Sequence, residues 1–250
     1  KHLVSYVEYL QEQHKSASTV KTDLSAIRFF HDKMEYAKYK LPANDELGVE
    51  LERRRFGGVD RTWSDAEFNK MLGFAVGDRR PDYVLALYTG RYLGLRLHET
   101  FRIDTAIAER MLRENAITIK GKGGKIRTVP VDDAHRKQLE IALREMLAAT
   151  PRGHKLLVPD GKDTHRAMNA LERFIEKYRS EVQLDDREAP LIYHGLRHTY
   201  ASEKYQEFID SGMNPLDAHL KVSELLGHER PDVTNIYLAS RRKKEGKRHG

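Results

Sequence analysis

Apolar positions recur at helical spacing through the first forty residues. Leu3, Val7 and Leu10 form one stripe; after Ser16 to Thr19, Val20, Leu24, Ile27 and Met34 form a second. Two short amphipathic stretches predict a small helical bundle, with Ser18 as the cap of the second. Leu41 to Asn44, with its proline, interrupts the pattern. A new helix is expected from Thr62, because Ser64 and Glu67 stand in capping-box register. The apolar stretch Tyr83 to Tyr92 predicts a helix ended by Gly90 or Gly94, and Leu95 to Ile103 resumes the helical pattern with Arg96 near its start. Ala116 to Lys120 and Ile126 to Val131 alternate polar and apolar around Gly121-Lys122-Gly123-Gly124, which predicts a β-hairpin with Lys122 at its turn. Further helices are expected over Asp133 to Ala149, Thr164 to Glu181, Leu196 to Ser211 and Asn214 to Leu226, separated by loops at 150–163 and 184–190.

The elements fall into a helical domain over 1–52, a linker over 53–61 and a larger, mainly helical domain with a small β-hairpin over 62–250, ending in a basic tail. At 250 residues and 39% hydrophobic content, the chain can bury a core in each domain. It has no cysteine, which excludes disulfides and thiolate catalysis. No apolar run reaches the ~18 residues of a membrane span, so no membrane partner is expected. The chain starts at Lys1 without an initiator methionine, which predicts a processed or truncated form lacking an upstream piece.

A net charge of +6 favours a polyanionic partner, but its distribution tempers the inference. Residues 1–60 carry 10 basic and 10 acidic side chains, whereas Arg241 to Gly250 carries six basic residues and one acid. Local clusters must therefore decide. Arg53, Arg54 and Arg55 beside Gly57 and Gly58 read either as a solvated loop or as a strap over phosphates.

The densest chemistry lies near the C-terminus, where Tyr237 follows His228 by nine residues and the run HGLRHTY precedes both. A tyrosine hydroxyl, with its pKa near ~10, is a poor nucleophile unless neighbours align it and stabilise charge on its target. Arginines and histidines do that for a phosphate. Four blocks in order, LGLRLHETFRID (93–104), ITIKGKGGKIRTVPV (117–131), HGLRHTYA (194–201) and LLGHERPDVTNIYL (225–238), resemble the signature blocks of the tyrosine recombinase/integrase family. The likeness covers most of the second domain, and the helical domain before it resembles the family's core-binding domain.

The resemblance implies a C-shaped DNA clamp and a site-specific recombinase of a phage, transposon or integrative element. It assigns Arg96 and Arg197 as phosphate-binding arginines, Lys122 as the hairpin lysine, His194 and His228 as the catalytic histidines, and Tyr237 as the nucleophile. These roles suit the residue types. Guanidinium forks match phosphate oxygens, and a lysine on a turn can protonate a leaving 5′ oxygen. His194 suits the role of acceptor for the tyrosine proton, and His228 that of donor to a phosphate oxygen. Glu99 supports the arginines and His198 has a structural role. Arg53, Arg54, Arg55, Lys120, Lys125 and Arg127 are read as DNA contacts. The implied intermediate is a 3′-phosphotyrosyl link, resolved through a four-way junction, with no cofactor, ATP or metal. The implied partners are double-stranded DNA, a homo-tetramer on two DNA sites, and DNA-bending accessory proteins, in a cytoplasmic, nucleoid-associated setting.

Blander readings stand beside these. Arg96 can simply pair with Glu99, and Tyr237 can be a semi-buried core tyrosine. His194 and His198, four residues apart, raise a metal site, but the HExxH glutamate is missing and two arginines would repel a cation. In TGRYLGLR (89–96) the family's usual TGLR is stretched, which leaves Arg91 as an alternative to Arg96; the segment from Thr199 to Leu225 is longer than the family spacing. Two rival functions share the residues: a type IB topoisomerase, and a catalytically silent DNA-binding protein of this fold.

Overall fold

The computed structural model describes residues 2–53, 59–121, 124, 126–228 and 234–237. The fold is mainly helical with one two-stranded antiparallel sheet. It divides into two compact units, Lys1–Phe56 and Gly57–Gly250.

The first unit holds α1 (His2–Glu12) and α2 (Ala17–His31). Val7 and Leu10 of α1 meet Val20 and Leu24 of α2, and Leu47 from the irregular segment that follows closes the core. The expected bundle is thus two helices and a strap of loop. The cap of α2 is Ser16 rather than Ser18, because the Ser16 hydroxyl accepts the orphan N–H of Thr19 at 3.1 Å. Met34 does not extend the stripe: α2 has ended at His31, and Met34 is 63% exposed.

The second unit begins its regular structure at α3 (Asp65–Gly77), where Ser64 and Glu67 form the expected capping box. Glu67 also receives Arg187 Nη1 at 2.9 Å, which ties the start of α3 to a loop 120 residues away. Helix α4 (Pro81–Leu93) is the central element. It is buried on nearly every face, as an all-round apolar helix must be, and packs against four other helices of the unit. It stops at Gly94, whose φ of 60° belongs to the left-handed region that glycine adopts without strain.

The Leu95–Ile103 pattern yields only the short α5 (Leu97–Thr100), with Arg96 as its N-cap, and Asp104 then caps a further helix, α6 (Thr105–Glu114), that the apolar pattern did not single out. Strands β1 (Ala116–Lys120) and β2 (Ile126–Pro130) pair antiparallel, with Ile119 opposite Arg127 and Ile117 opposite Val129. Helices α7 (Asp133–Ala149), α8 (Thr164–Val182), α9 (Tyr193–Asp210) and α10 (Pro215–Leu226) follow, then the single turn α11 (Thr234–Tyr237). Helix α9 starts three residues before the expected Leu196, so His194 lies within its first turn. Among the described residues, no helix is long and apolar enough to cross a membrane.

Candidate active site

Helix α9 supplies His194, Arg197 and His198, and the chain preceding α3 fixes its first turn. Trp63 donates its backbone N–H to Thr199 Oγ1 at 2.8 Å and its indole N–H to the Ile192 carbonyl at 3.1 Å. The approach is so close that a Cβ on Gly195 would sit 2.5 Å from the Arg61 carbonyl oxygen. Only glycine fits there. Locked in this way, α9 presents His194, Arg197 and His198 together.

Tyr237 of α11 closes over them. Its hydroxyl lies 3.1 Å from His194 Nε2, and its ring centroid lies 4.4 Å from that of His198 and 5.0 Å from that of His228. The Arg197 guanidinium carbon is 5.6 Å from the tyrosine ring. Arg197 itself is fully buried, donating from Nη1 to the Gly94 carbonyl and from Nη2 to the Leu226 carbonyl. Its buried Nε has no hydrogen-bond partner among the described residues, an unsatisfied donor beside the tyrosine.

Glu99 is the anchor for the cations. Arg96 donates to it through its backbone N–H at 2.8 Å and its Nη1 at 2.9 Å, and Arg127 grips both carboxylate oxygens at 2.8 and 2.7 Å. Arg197 Nη1 is 3.9 Å from the same carboxylate. Arg96 is therefore both paired and adjacent to Arg197, whereas Arg91 is tied to Asp65 and Glu203. Burial alone would raise the Glu99 carboxyl, but the Arg127 hydrogen bonds and charge, the Arg96 N–H and Arg197 hold it at about 2.

The same surroundings keep the histidines neutral at pH 7. Burial, then Arg197, Arg96 and Arg61, push His194 down to about 4. Burial and the neighbouring cations lower His198 and His228 to about 3 each. Burial also lowers Arg197, to about 10, which leaves it charged. The pocket therefore pairs a phenol with a proton acceptor inside a ring of fixed positive charge, an arrangement suited to a phosphodiester.

One DNA contact expected from the sequence is corrected. Arg127 is 7% exposed and turned inward on Glu99, because it shares the core-facing phase of β2 with Val129. That phase is the signal by which its role was readable: a charge in the apolar register of a strand must be paired. Lys120, at the end of β1, is exposed, as is Arg53 in the first unit. Lys122, Lys125, Arg54, Arg55 and the basic tail lie outside the described residues. His198 packs its ring on Tyr237 and edge-on to His194 at 5.3 Å. Sequence reasoning also missed Thr234, whose hydroxyl sits 2.8 Å from His228 Nδ1, and the buried pair of Thr100 and Tyr193, 2.8 Å apart.

The sequence profile described as the phage integrase family matches residues 83–244, about two thirds of the chain, a span that includes Arg96, Glu99, Arg127, His194, Arg197, His228 and Tyr237. The chain belongs to the phage integrase family. This family member is 27% identical over 232 residues to the tyrosine recombinase XerC of Thermodesulfovibrio yellowstonii, covering 89% of this chain and 71% of the relative. It is 29% identical over 243 residues to XerC of Pseudomonas aeruginosa strain LESB58, covering 94% and 73%. Among solved structures, that of the XerA recombinase shares the fold with a TM-score of 0.55 at 19% identity, over 98% of this chain and 81% of the other.

Proposed function

We propose that this protein is a site-specific DNA recombinase or integrase in which Tyr237 cleaves a strand by attacking the scissile phosphate. As a tyrosine recombinase it is an enzyme of DNA strand breakage and rejoining. The phenolic oxygen forms a bond to phosphorus as the bond from phosphorus to the 5′ oxygen breaks, leaving a 3′-phosphotyrosyl link and a free 5′ hydroxyl. The phenol proton passes to neutral His194, and Lys122 protonates the departing 5′ oxygen. Arg96 and Arg197 neutralise the non-bridging oxygens while His228 donates to one of them. Attack by the 5′ hydroxyl of a partner strand then expels Tyr237, which recovers its proton. The covalent link conserves the bond energy, so the route calls for neither ATP nor a metal. The observation that carries this reading is the 3.1 Å contact between the Tyr237 hydroxyl and His194 beside buried Arg197.

In this proposal residues 1–52 are the core-binding domain, 53–61 the linker and 62–250 the catalytic domain. Arg53, Arg54, Arg55, Lys120 and Lys125 contact phosphates of double-stranded DNA. Four protomers act on two DNA sites through a four-way junction, assisted by DNA-bending proteins, in the cytoplasm at the nucleoid.

The test incubates wild type and Tyr237→Phe, in EDTA, with a pool of nicked duplexes of randomised sequence, and runs denaturing gels for protein-linked strands. Wild type should trap an adduct and Tyr237→Phe none. An adduct formed equally by both removes Tyr237 as the nucleophile. Selected duplexes placed in pairs on a plasmid should recombine; relaxation of supercoils without exchange would count against recombination.

A further inference from the structure

His228 is held at both ring nitrogens. Nδ1 lies 2.8 Å from Thr234 Oγ1, and Nε2 lies 3.4 Å from Arg197 Nη2. Thr234 is 0% exposed and His228 9%, so both contacts are buried in the free protein. A guanidinium only donates. In the protein alone Nε2 is therefore the acceptor, and the neutral ring carries its proton on Nδ1 and donates to the threonine oxygen. The ring is neutral because burial and the titratable groups facing it, the cations Arg197 from α9, Arg96 from the start of α5 and Arg127 from β2 and the imidazole of His194 from α9, hold it at about 3.

A phosphate oxygen in the pocket reverses the demand. It only accepts, so Nε2 must carry the proton and Nδ1 must become an acceptor. A hydroxyl can meet both states, because it donates or accepts by rotation about its C–O bond. We infer that Thr234 is a positioning residue: its hydroxyl turns from acceptor to donor when phosphate takes the place of Arg197 at Nε2, so that His228 enters the phosphate complex as a neutral Nε2–H donor. One proton leaves Nδ1 and one arrives at Nε2 by exchange with water as the DNA enters, and the charge of the ring does not change. Valine at this position keeps the shape and removes the hydroxyl, which leaves Nδ1 with no donor in the bound state.

The inference rests on the proposed reading of this pocket as a phosphate site, and its test has two arms. In the first, the full chain with ¹⁵N-histidine is observed by NMR alone, then as Tyr237→Phe with a duplex recovered from the randomised pool. The His228 shifts should report Nδ1–H in the free protein and Nε2–H in the complex; Nε2–H in the free protein overturns the inference. In the second, covalent adduct formation is timed under single turnover. Thr234→Val should slow it by about tenfold or more, up to the roughly 10²–10³-fold that loss of one preorganised donor costs, with duplex affinity little changed, and Thr234→Ser should restore most of the rate. A valine variant as fast as wild type, or a serine variant as slow as valine, overturns it. If Thr234→Val fails to fold, as judged by Trp63 emission, the NMR arm decides. Failure of wild type to form any adduct removes the functional reading instead, while the free-protein tautomer still tests the role of Thr234.

Discussion

Replacing Glu99 with glutamine should unfold the second unit more readily than almost any other single isosteric change. The side chain is 0% exposed and accepts four hydrogen bonds, two from Arg127 and two from Arg96, at 2.7 to 2.9 Å. Glutamine keeps the volume but turns an NH₂ group toward guanidiniums and leaves Arg127 and Arg197, 6% and 0% exposed at their side chains, without a countercharge. Breaking one side of a buried ion pair costs roughly 3–5 kcal/mol. Independently, a carboxyl held at about 2 instead of 4.5 corresponds to about 3 kcal/mol at pH 7. The two figures agree, so a loss of about 3–4 kcal/mol is expected. Trp63, the only tryptophan in the chain and 2% exposed within the second unit, makes urea unfolding followed by fluorescence report on that unit. Because the folded carboxyl is depressed, its contribution is complete above pH 4.5 and lost as pH falls toward 2. The gap between wild type and Glu99→Gln should close over that window. Adding Arg127→Met to Glu99→Gln should recover part of the loss by removing the stranded charge. A loss under about 1 kcal/mol at pH 7, the worth of an exposed pair, with an unchanged denaturant slope, would show that this carboxylate does not organise the arginines.

Gly195→Ala should lower stability by about 1–3 kcal/mol through overpacking and shift Trp63 emission, because the new Cβ falls 2.6 Å from the indole nitrogen; an unchanged spectrum and midpoint would contradict the close approach of Arg61 and Trp63 to α9. With His194 held at about 4, the neutral proton acceptor persists as pH falls below 6.5, and cleavage measured as kcat/KM should decline only through pH 4; an acid limb at 6.5 would mean a ring outside these charges. Lys120→Ala should reduce the slope of log affinity against log salt by about 0.9, the worth of one phosphate contact, whereas Arg127→Met should leave that slope alone and lower the unfolding midpoint. Deleting residues 240–250 should reduce cooperative assembly on DNA in mobility-shift titrations, and unchanged assembly would remove the tail from that role.

Short-range physics made much of this chain readable in advance. The Ser64–Glu67 box, the antiparallel pairing of Ala116–Lys120 with Ile126–Pro130 and the helix over Asp133–Ala149 each depend on residues close in sequence, so propensity and periodicity carry them. The nine-residue interval from His228 to Tyr237 and the order of the four blocks likewise pointed to one phosphate-directed pocket. What required the folded chain were partners distant in sequence. Arg127 looked like another hairpin cation until Glu99, 28 residues earlier, drew it inward. Helix α9 begins at Tyr193 because Trp63, 129 residues before Ile192, ties down its first turn. Arg91 and Arg96 are chemically equivalent in the sequence; the carboxylates that reach each one separate them, Asp65 and Glu203 for the first and Glu99 for the second. Residue type and spacing determined which groups could do the chemistry, since a phenol, two imidazoles and the arginines have fixed functional properties. Their protonation, pairing and aim were decided by tertiary packing, because desolvation and Coulomb interactions depend on distances that only the completed core sets.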